Sequence, residues 1–205
     1  MIVKKEIRKV RVWNQGAIYH VMERGIRRQE IFKEKEDYQV FLLQLKKTVE
    51  KYNCLIHAYC LMTNHIHLLI ETDTYPIGKT IKDLAGGYAI YFNSKYGYRG
   101  HLFEDRFKSG LVETDSYFLQ SGKYIHLNPI KAGMTEKPED YPWSSYRSMI
   151  LLDDDRIVQR EKTLGYFLND VYRYRQFIED TMHQYMVEEG KIRKQIGEDD
   201  EWLPW

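Results

Sequence analysis

Two apolar runs, Leu55 to Met62 and His65 to Glu71, are separated only by Thr63-Asn64, a connection so short that an antiparallel hairpin is the economical way to join them. Side chains alternate along an extended strand, so in the second run Ile66, Leu68 and Ile70 fill one face while His65 and His67 share the other. Two imidazoles then project the same way from a rigid element with an apolar back. Neutral imidazole is a good ligand for a divalent metal, and same-face neighbours need no loop to bring them together. From His-x-His alone, a half-buried strand whose histidines only hydrogen-bond at the sheet surface is as good a reading. A second constellation has to decide.

The periodicities on either side of the hairpin supply its surroundings. Gly16 to Gly25 reads as a strand ending in a turn, followed by a basic loop over Ile26 to Glu30. From Glu36, the positions Tyr38, Phe41, Leu42, Leu45 and Val49 recur at helical steps and predict an amphipathic helix to about Lys51. After the hairpin, Ile77 to Tyr96 predicts a second helix, in which Gly86-Gly87 either bends the axis or permits a close approach. Leu102 to Val112 holds a further extended stretch. Ser116 to Asn128 predicts a third helix, with Asp115 or Ser116 as its cap and Pro129 as its stop. Strand, helix, strand, strand, helix, strand, helix is the order of a split βαβ sheet, an α+β fold with an antiparallel sheet and helices packed on one face.

Beyond Gly133, the turn-rich Lys137 to Trp143 is expected to lie over the core, held by Trp143 and Tyr146. Asp153-Asp154-Asp155 marks a boundary. The chain therefore divides into a domain over residues 1–150 and an acidic helical extension over 151–205. In the extension, Leu164 to Val187 forms one or two helices, and Trp202 and Trp205 are candidate anchors for the tail.

The net charge of +1 hides an asymmetry. Residues 1–133 carry 21 Lys+Arg against 14 Asp+Glu, or +7, and residues 134–205 carry 10 against 16, or −6. Only the first part can attract a polyanion by net charge. Cys54 and Cys60 are an even number of residues apart, so an uninterrupted strand puts both on one face but beyond disulfide reach. They read as reduced core residues of a cytosolic protein. The opening Met-Ile-Val-Lys-Lys-Glu lacks a signal-peptide apolar core and no run approaches transmembrane length, so no membrane association is expected and the location expected is cytoplasmic.

The second constellation lies in the third helix, where Tyr124 and Asn128 are four apart and share a face. A tyrosine one turn before a carboxamide, opposite a strand with two histidines, is a set of parts for metal-assisted phosphoryl transfer. His65, His67 and Asn128 would hold Mg²⁺ or Mn²⁺, and Tyr124 would attack a phosphate in line, expelling a ribose 3′-oxygen and keeping the 5′-phosphate as an ester. A phenol has a pKa of about 10, so the metal or a nearby cation such as Lys123 or Lys131 must favour phenolate.

Together these segments resemble the HUH single-tyrosine transposases, and within them the REP-associated tyrosine transposases. The resemblance is carried by Ala58-Tyr59-Cys60-Leu61-Met62 with Asn64-His65-Ile66-His67-Leu68-Leu69-Ile70, and by Lys123-Tyr124-Ile125-His126-Leu127-Asn128-Pro129 downstream. It is supported by Tyr19-His20-Val21 with Arg24-Gly25, by Gly100-His101-Leu102-Phe103 with Arg106-Phe107-Lys108-Ser109, and by Tyr141 to Tyr146. It implies a ferredoxin-like domain that cuts and rejoins single-stranded DNA beside hairpins, in the cytoplasm at the nucleoid, as a monomer or homodimer. On that pattern His65 and His67 are the paired histidines, Tyr124 is the nucleophile and Asn128 belongs to the metal site.

Two departures from the pattern, Ile26 after Arg24-Gly25 and the acidic pair Glu104-Asp105, bear on DNA contacts rather than on chemistry. DNA as substrate gives a reason for the cations flanking these motifs: Arg24, Arg27, Arg28, Arg99, Arg106, Lys108, Lys123 and Lys131, with His101 beside them. Tyr96, Tyr98 and Phe103 are candidates to stack on unpaired bases. His57 is expected to be a structural hydrogen-bonder, and His126, on another helix face from Tyr124, not to be a ligand. Two other functions use the same residues: a domesticated hairpin-binding protein with little chemistry, and a metal-dependent hydrolase using activated water.

Overall fold

The computed structural model describes residues 14–104 and 106–192. Asp105, Trp202 and Trp205 lie outside the described residues. Strands β1 (Ile18–Arg24), β2 (Leu55–Leu61), β3 (His65–Glu71) and β4 (Lys108–Val112) form one antiparallel sheet in the order β2-β3-β1-β4. Helix α1 (Lys35–Tyr52) carries the chain from β1 to β2, and β3 inserts between those two strands, as the split βαβ reading requires. The fold is α+β and ferredoxin-like.

Helix α1 begins where Asp37 accepts from the backbone N–H groups of Lys33 and Glu34, at 2.8 and 3.1 Å, satisfying donors that a helix start leaves open. The same buried carboxylate accepts from Tyr91 and Tyr96 of α2 (Ile77–Tyr96), at 3.0 and 2.8 Å, which joins the two helices. Gly86 and Gly87 do not interrupt α2. A methyl group on Gly87 would stand 2.5 Å from Gln44 Nε2, so the glycine permits the close approach of α1.

The placement of helices on one face is corrected by the structure. Helices α1 and α2 cover the side of the sheet formed by Tyr19, Val21, Tyr59, Leu61, Ile66, Leu68 and Ile70. Helix α3 (Asp115–Lys131) covers the other side, over Ile18, Ala58, Cys60, Leu69 and Val112. The physical reason is that the histidine side of the sheet is itself largely apolar and, left bare, would keep that area in water. The third helix therefore lies over the histidines.

A bulge corrects the cysteine reading. The β2–β3 register slips between Ile56 and Ala58, so the extra residue, His57, inverts the alternation before it. Cys54 accordingly packs with the α1/α2 side and Cys60 with the α3 side, both as free thiols. Pro129 also fails to stop α3, which continues to Lys131. A proline this close to a helix end removes only one late hydrogen bond, and Ala132 N–H still donates to Asn128 O at 2.9 Å. The cap is Thr114, whose hydroxyl oxygen accepts from Tyr117 N–H at 3.2 Å.

The free edge of β2 is covered by later chain. Leu61 N–H donates to Trp143 O, Ser145 N–H to Tyr59 O and Gln159 N–H to Ile56 O, at 2.9, 3.0 and 2.7 Å. Trp143 stacks on Tyr38 with ring centroids 4.5 Å apart, and Tyr146 is fully buried. Three further helices follow: α4 (Tyr146–Met149), α5 (Glu161–Gly165) and α6 (Val171–Ile192). Leu127 and Ile130 of α3 form a third apolar cluster with Tyr146, Met149, Leu164, Tyr174 and Ile178. Among the described residues no helix is long and apolar enough to cross a membrane.

Candidate active site

The register decides what surrounds the histidines. On the α3 side of the sheet, Met22 stands opposite His67 and Arg24 opposite His65 across β1 and β3, while Lys108 of β4 stands opposite Met22. The His65 and His67 rings are 4.9 Å apart between centroids and nearly perpendicular, at 85°. His65 is half-buried and His67 is 1% exposed.

Each imidazole is held by its Nδ1 edge. His65 Nδ1 meets Asn64 Oδ1 at 2.6 Å, and Asn64 Nδ2 in turn donates to Arg28 O at 3.2 Å. A carboxamide oxygen can only accept, so His65 carries its proton on Nδ1 and keeps the Nε2 lone pair. His67 Nδ1 lies 3.2 Å from Nε2 of His20, a residue that the sequence reading did not place in the site. His20 is 2% exposed, and burial pushes its pKa down to about 4. Burial also holds His67 well below the usual histidine range, reinforced by His65, His20, Arg24 and Lys131. Neutral imidazole is the form that ligates metal.

Helix α3 brings the phenol to this face. The Tyr124 ring is half-buried, 5.5 Å from His67 and 5.8 Å from His20 between centroids, edge-on to both. Lys131 Nζ lies 4.3 Å from the Tyr124 ring centroid. Tyr124, Asn128 and Lys131 follow at helical steps of four and three and so share a face. Tyr124 packs edge-on to His67, and Asn128 lies one turn further along the same helix face. Asn128 is 7% exposed, and its Nδ2 donates to Tyr124 O at 2.9 Å, so Oδ1 is the atom of its carboxamide with lone pairs to offer a cation.

Among the described residues no group of three or more His, Cys, Asp and Glu side chains is placed to hold a metal ion. A divalent ion here would draw on the Nε2 atoms of His65 and His67 and on an amide oxygen. Two imidazole nitrogens with one amide oxygen are a mixed donor set, which suits an ion that accepts nitrogen as well as oxygen, such as Mn²⁺, better than Mg²⁺, which prefers oxygen ligands.

The predicted cations divide. Arg24 is half-buried at the end of the site. Arg27 and Arg28 are exposed in a 3-10 turn over Ile26–Arg28, both with left-handed backbone. Ile26 N–H donates to Leu102 O at 2.9 Å, which brings the exposed His101 alongside that turn, and Arg99, two residues earlier, is also exposed. Arg106 and Lys108 are exposed and border a cleft of about 170 Å³ with Met22, Glu23, Arg24, Glu104 and Phe107. Lys123 stands apart: its ammonium lies 4.4 Å over the Phe177 ring of α6. Of the stacking candidates, Tyr96 is engaged with Asp37, Tyr98 packs against Phe92, and Phe103 is half-buried.

His57 and His126 make structural hydrogen bonds. His57 bonds Glu71 through Nε2 at 2.9 Å. His126 is 1% exposed, with Nδ1 2.7 Å from the Tyr174 hydroxyl and Nε2 2.8 Å from Ser145 Oγ. Ser145 Oγ already donates to Tyr59 O and accepts from Tyr59 N–H, so His126 Nε2–H donates to it and Nδ1 accepts from Tyr174. What could have found His20 in the sequence is its place in Tyr19-His20-Val21, one strand step from Met22 on the same face.

The fold is thus an antiparallel split βαβ sheet with paired histidines on one central strand and a tyrosine ring beside them on the covering helix, and the match to known proteins names its class, the transposases. Residues 14–128 match the family described as transposase IS200 like, and the chain belongs to that family. It is 30% identical over 112 residues to a Haemophilus influenzae protein described as "Putative REP-associated tyrosine transposase", a match that spans 49% of this chain and 64% of that relative's length. Its fold matches the solved structure of a REP-associated tyrosine transposase bound to a REP hairpin with a TM-score of 0.61 and 16% identity, over 70% of this chain and 85% of that one.

Proposed function

We propose that this chain is a metal-dependent single-stranded DNA endonuclease and strand transferase, acting beside hairpins through a 5′-phosphotyrosine. The observation that carries the reading is the Tyr124 ring against His67 of the same chain, 5.5 Å between centroids, with the Lys131 ammonium over it. The similarity to REP-associated transposases, one of them solved on a hairpin, supports hairpin DNA as the substrate class.

Tyr124 loses its phenolic proton to solvent, favoured by Lys131, and its oxygen attacks the scissile phosphorus. The P–O3′ bond breaks, the 3′-oxygen leaves as a hydroxyl after taking a proton, and the 5′-phosphate stays on Tyr124 as a diester. His65, His67 and Asn128 would hold the divalent ion, Mn²⁺ or, less well, Mg²⁺, which would supply Lewis acidity to the scissile phosphate. Attack by a 3′-hydroxyl from another strand reverses the chemistry and releases the tyrosine, so the phosphodiester's energy is kept. Arg24, Arg27, Arg28, Arg106 and Lys108 track the DNA backbone on either side.

Incubating the protein with Mn²⁺ and end-labelled hairpin DNA that carries a single-stranded flank tests this. The expected result is a denaturation-resistant protein–DNA adduct that is absent from Tyr124→Phe and from His65→Ala. Turnover retained in Tyr124→Phe would instead mean water-mediated hydrolysis, and tight binding with no adduct in the wild type would mean a binding protein.

A further inference from the structure

We infer that His20 is a positioning residue, which holds His67 in the tautomer with its proton on Nδ1 and so presents the Nε2 lone pair to the metal site. The inference rests on the metal-site reading above. It concerns a residue outside the His-x-His pair and on a different strand.

The argument is one of hydrogen-bond roles. His20 Nε2 and His67 Nδ1 are 3.2 Å apart, and both side chains are almost wholly buried. Of two nitrogens at that distance, one must carry the proton and the other accept it. If His20 were the donor, His67 Nδ1 would accept and its proton would sit on Nε2. That nitrogen could then not ligate. If His67 is the donor, Nε2 is free and His20 carries its own proton on Nδ1. That buried atom makes no hydrogen bond among the described residues in either arrangement, so the cost of leaving it unmet is offset in this one by what the freed His67 Nε2 can ligate. The second arrangement matches His65, whose Nδ1 is fixed as a donor by the Asn64 carboxamide oxygen. The two imidazoles are then held alike, each by an acceptor behind it, one from the hairpin turn and one from β1. Such acceptors fix ring orientation and raise ligand basicity, and removing one costs roughly 10–100-fold in metal affinity.

His20 also touches the phenol, with ring centroids 5.8 Å apart, so one residue supports both the ligand and the nucleophile's ring. A lone acceptor behind His67 is the part of this role that other side chains can copy. A glutamine at position 20 offers a carboxamide oxygen near the place of Nε2, whereas leucine fills the space and offers nothing.

The test uses the full chain. Histidine tautomers are read by ¹⁵N-resolved NMR of the metal-free protein, and Mn²⁺ binding by calorimetry, for wild type, His20→Gln and His20→Leu. The expected result is His67 protonated on Nδ1 in the wild type and in His20→Gln, with the Nε2-protonated form gaining population in His20→Leu. Mn²⁺ affinity should fall about 10–100-fold in His20→Leu and recover most of that in His20→Gln. The inference is overturned by a wild-type His67 protonated on Nε2, by His20→Leu keeping the wild-type tautomer, or by equal losses in the two variants. A wild type that binds no Mn²⁺ removes the metal reading alone, since the spectrum still judges the tautomer.

Discussion

Lys131 Nζ lies 4.3 Å from the centroid of the Tyr124 ring, two helical turns further along α3 and on the same face. A cation over a phenol ring both holds the ring and favours the phenolate, the form that would attack phosphorus under the proposed function. The contact is worth about 0.5–2 kcal/mol. Lys131→Met is therefore expected to slow single-turnover adduct formation about 3–30-fold, with the rate's rise moved to higher pH, as a pH–rate profile would show. An unchanged profile would assign Lys131 to DNA binding alone.

Gly25 joins β1 to the basic turn, and a methyl group there would stand 2.3 Å from Gln29 O and 2.8 Å from Ile31 Cγ2. Backbone cannot yield as a flexible side chain does, so Gly25→Ala is expected to cost about 1–3 kcal/mol in urea unfolding. Gly25 N–H also donates to Asn64 O at 2.8 Å, and Asn64 holds His65. Mn²⁺ affinity should therefore fall with stability, which calorimetry on the folded variant checks.

The salt dependence of single-stranded DNA binding should separate the cations. Arg27→Ala and Arg106→Ala each remove an exposed charge near the site. Each is expected to lower the slope of log affinity against log salt by about 0.7. Lys123→Ala should leave the slope unchanged, because that ammonium sits over Phe177. Fluorescence anisotropy across a salt series reads the difference.

His126 gives the fold a dependence on acid. Burial pushes its pKa down from 6.5 to about 3, so the folded chain keeps it neutral while the unfolded chain takes up a proton below pH 6.5. Stability is thus lost as pH falls from 6.5 toward 3 and levels off below that. Between pH 7 and pH 5 the loss from this group is about 2 kcal/mol. Urea midpoints at the two pH values should differ by less in His126→Gln than in the wild type. Equal differences would show that His126 contributes nothing to the acid sensitivity.

Local periodicity carried much of the site. Alternation along β3 put His65 and His67 on one side, and the four-residue step put Asn128 beneath Tyr124, because both relations lie within one element whose geometry the backbone fixes. The order of elements likewise predicts the split βαβ sheet.

What lies between elements was not legible. That α3 covers the histidine side depended on which apolar faces remained after α1 and α2 had packed. The bulge at His57 reversed the side taken by Cys54, and nothing in the run Cys54 to Cys60 marks that extra residue. His20 joined His67 through a cross-strand register some 47 residues away in sequence, and Lys131 rather than Lys123 met Tyr124 because α6 took the other face of α3. Which side chains each strand and helix presents was readable from the residues alone, since it follows from the repeat of the element. Which of them meet was not, because meeting is settled by long-range packing that no local repeat encodes.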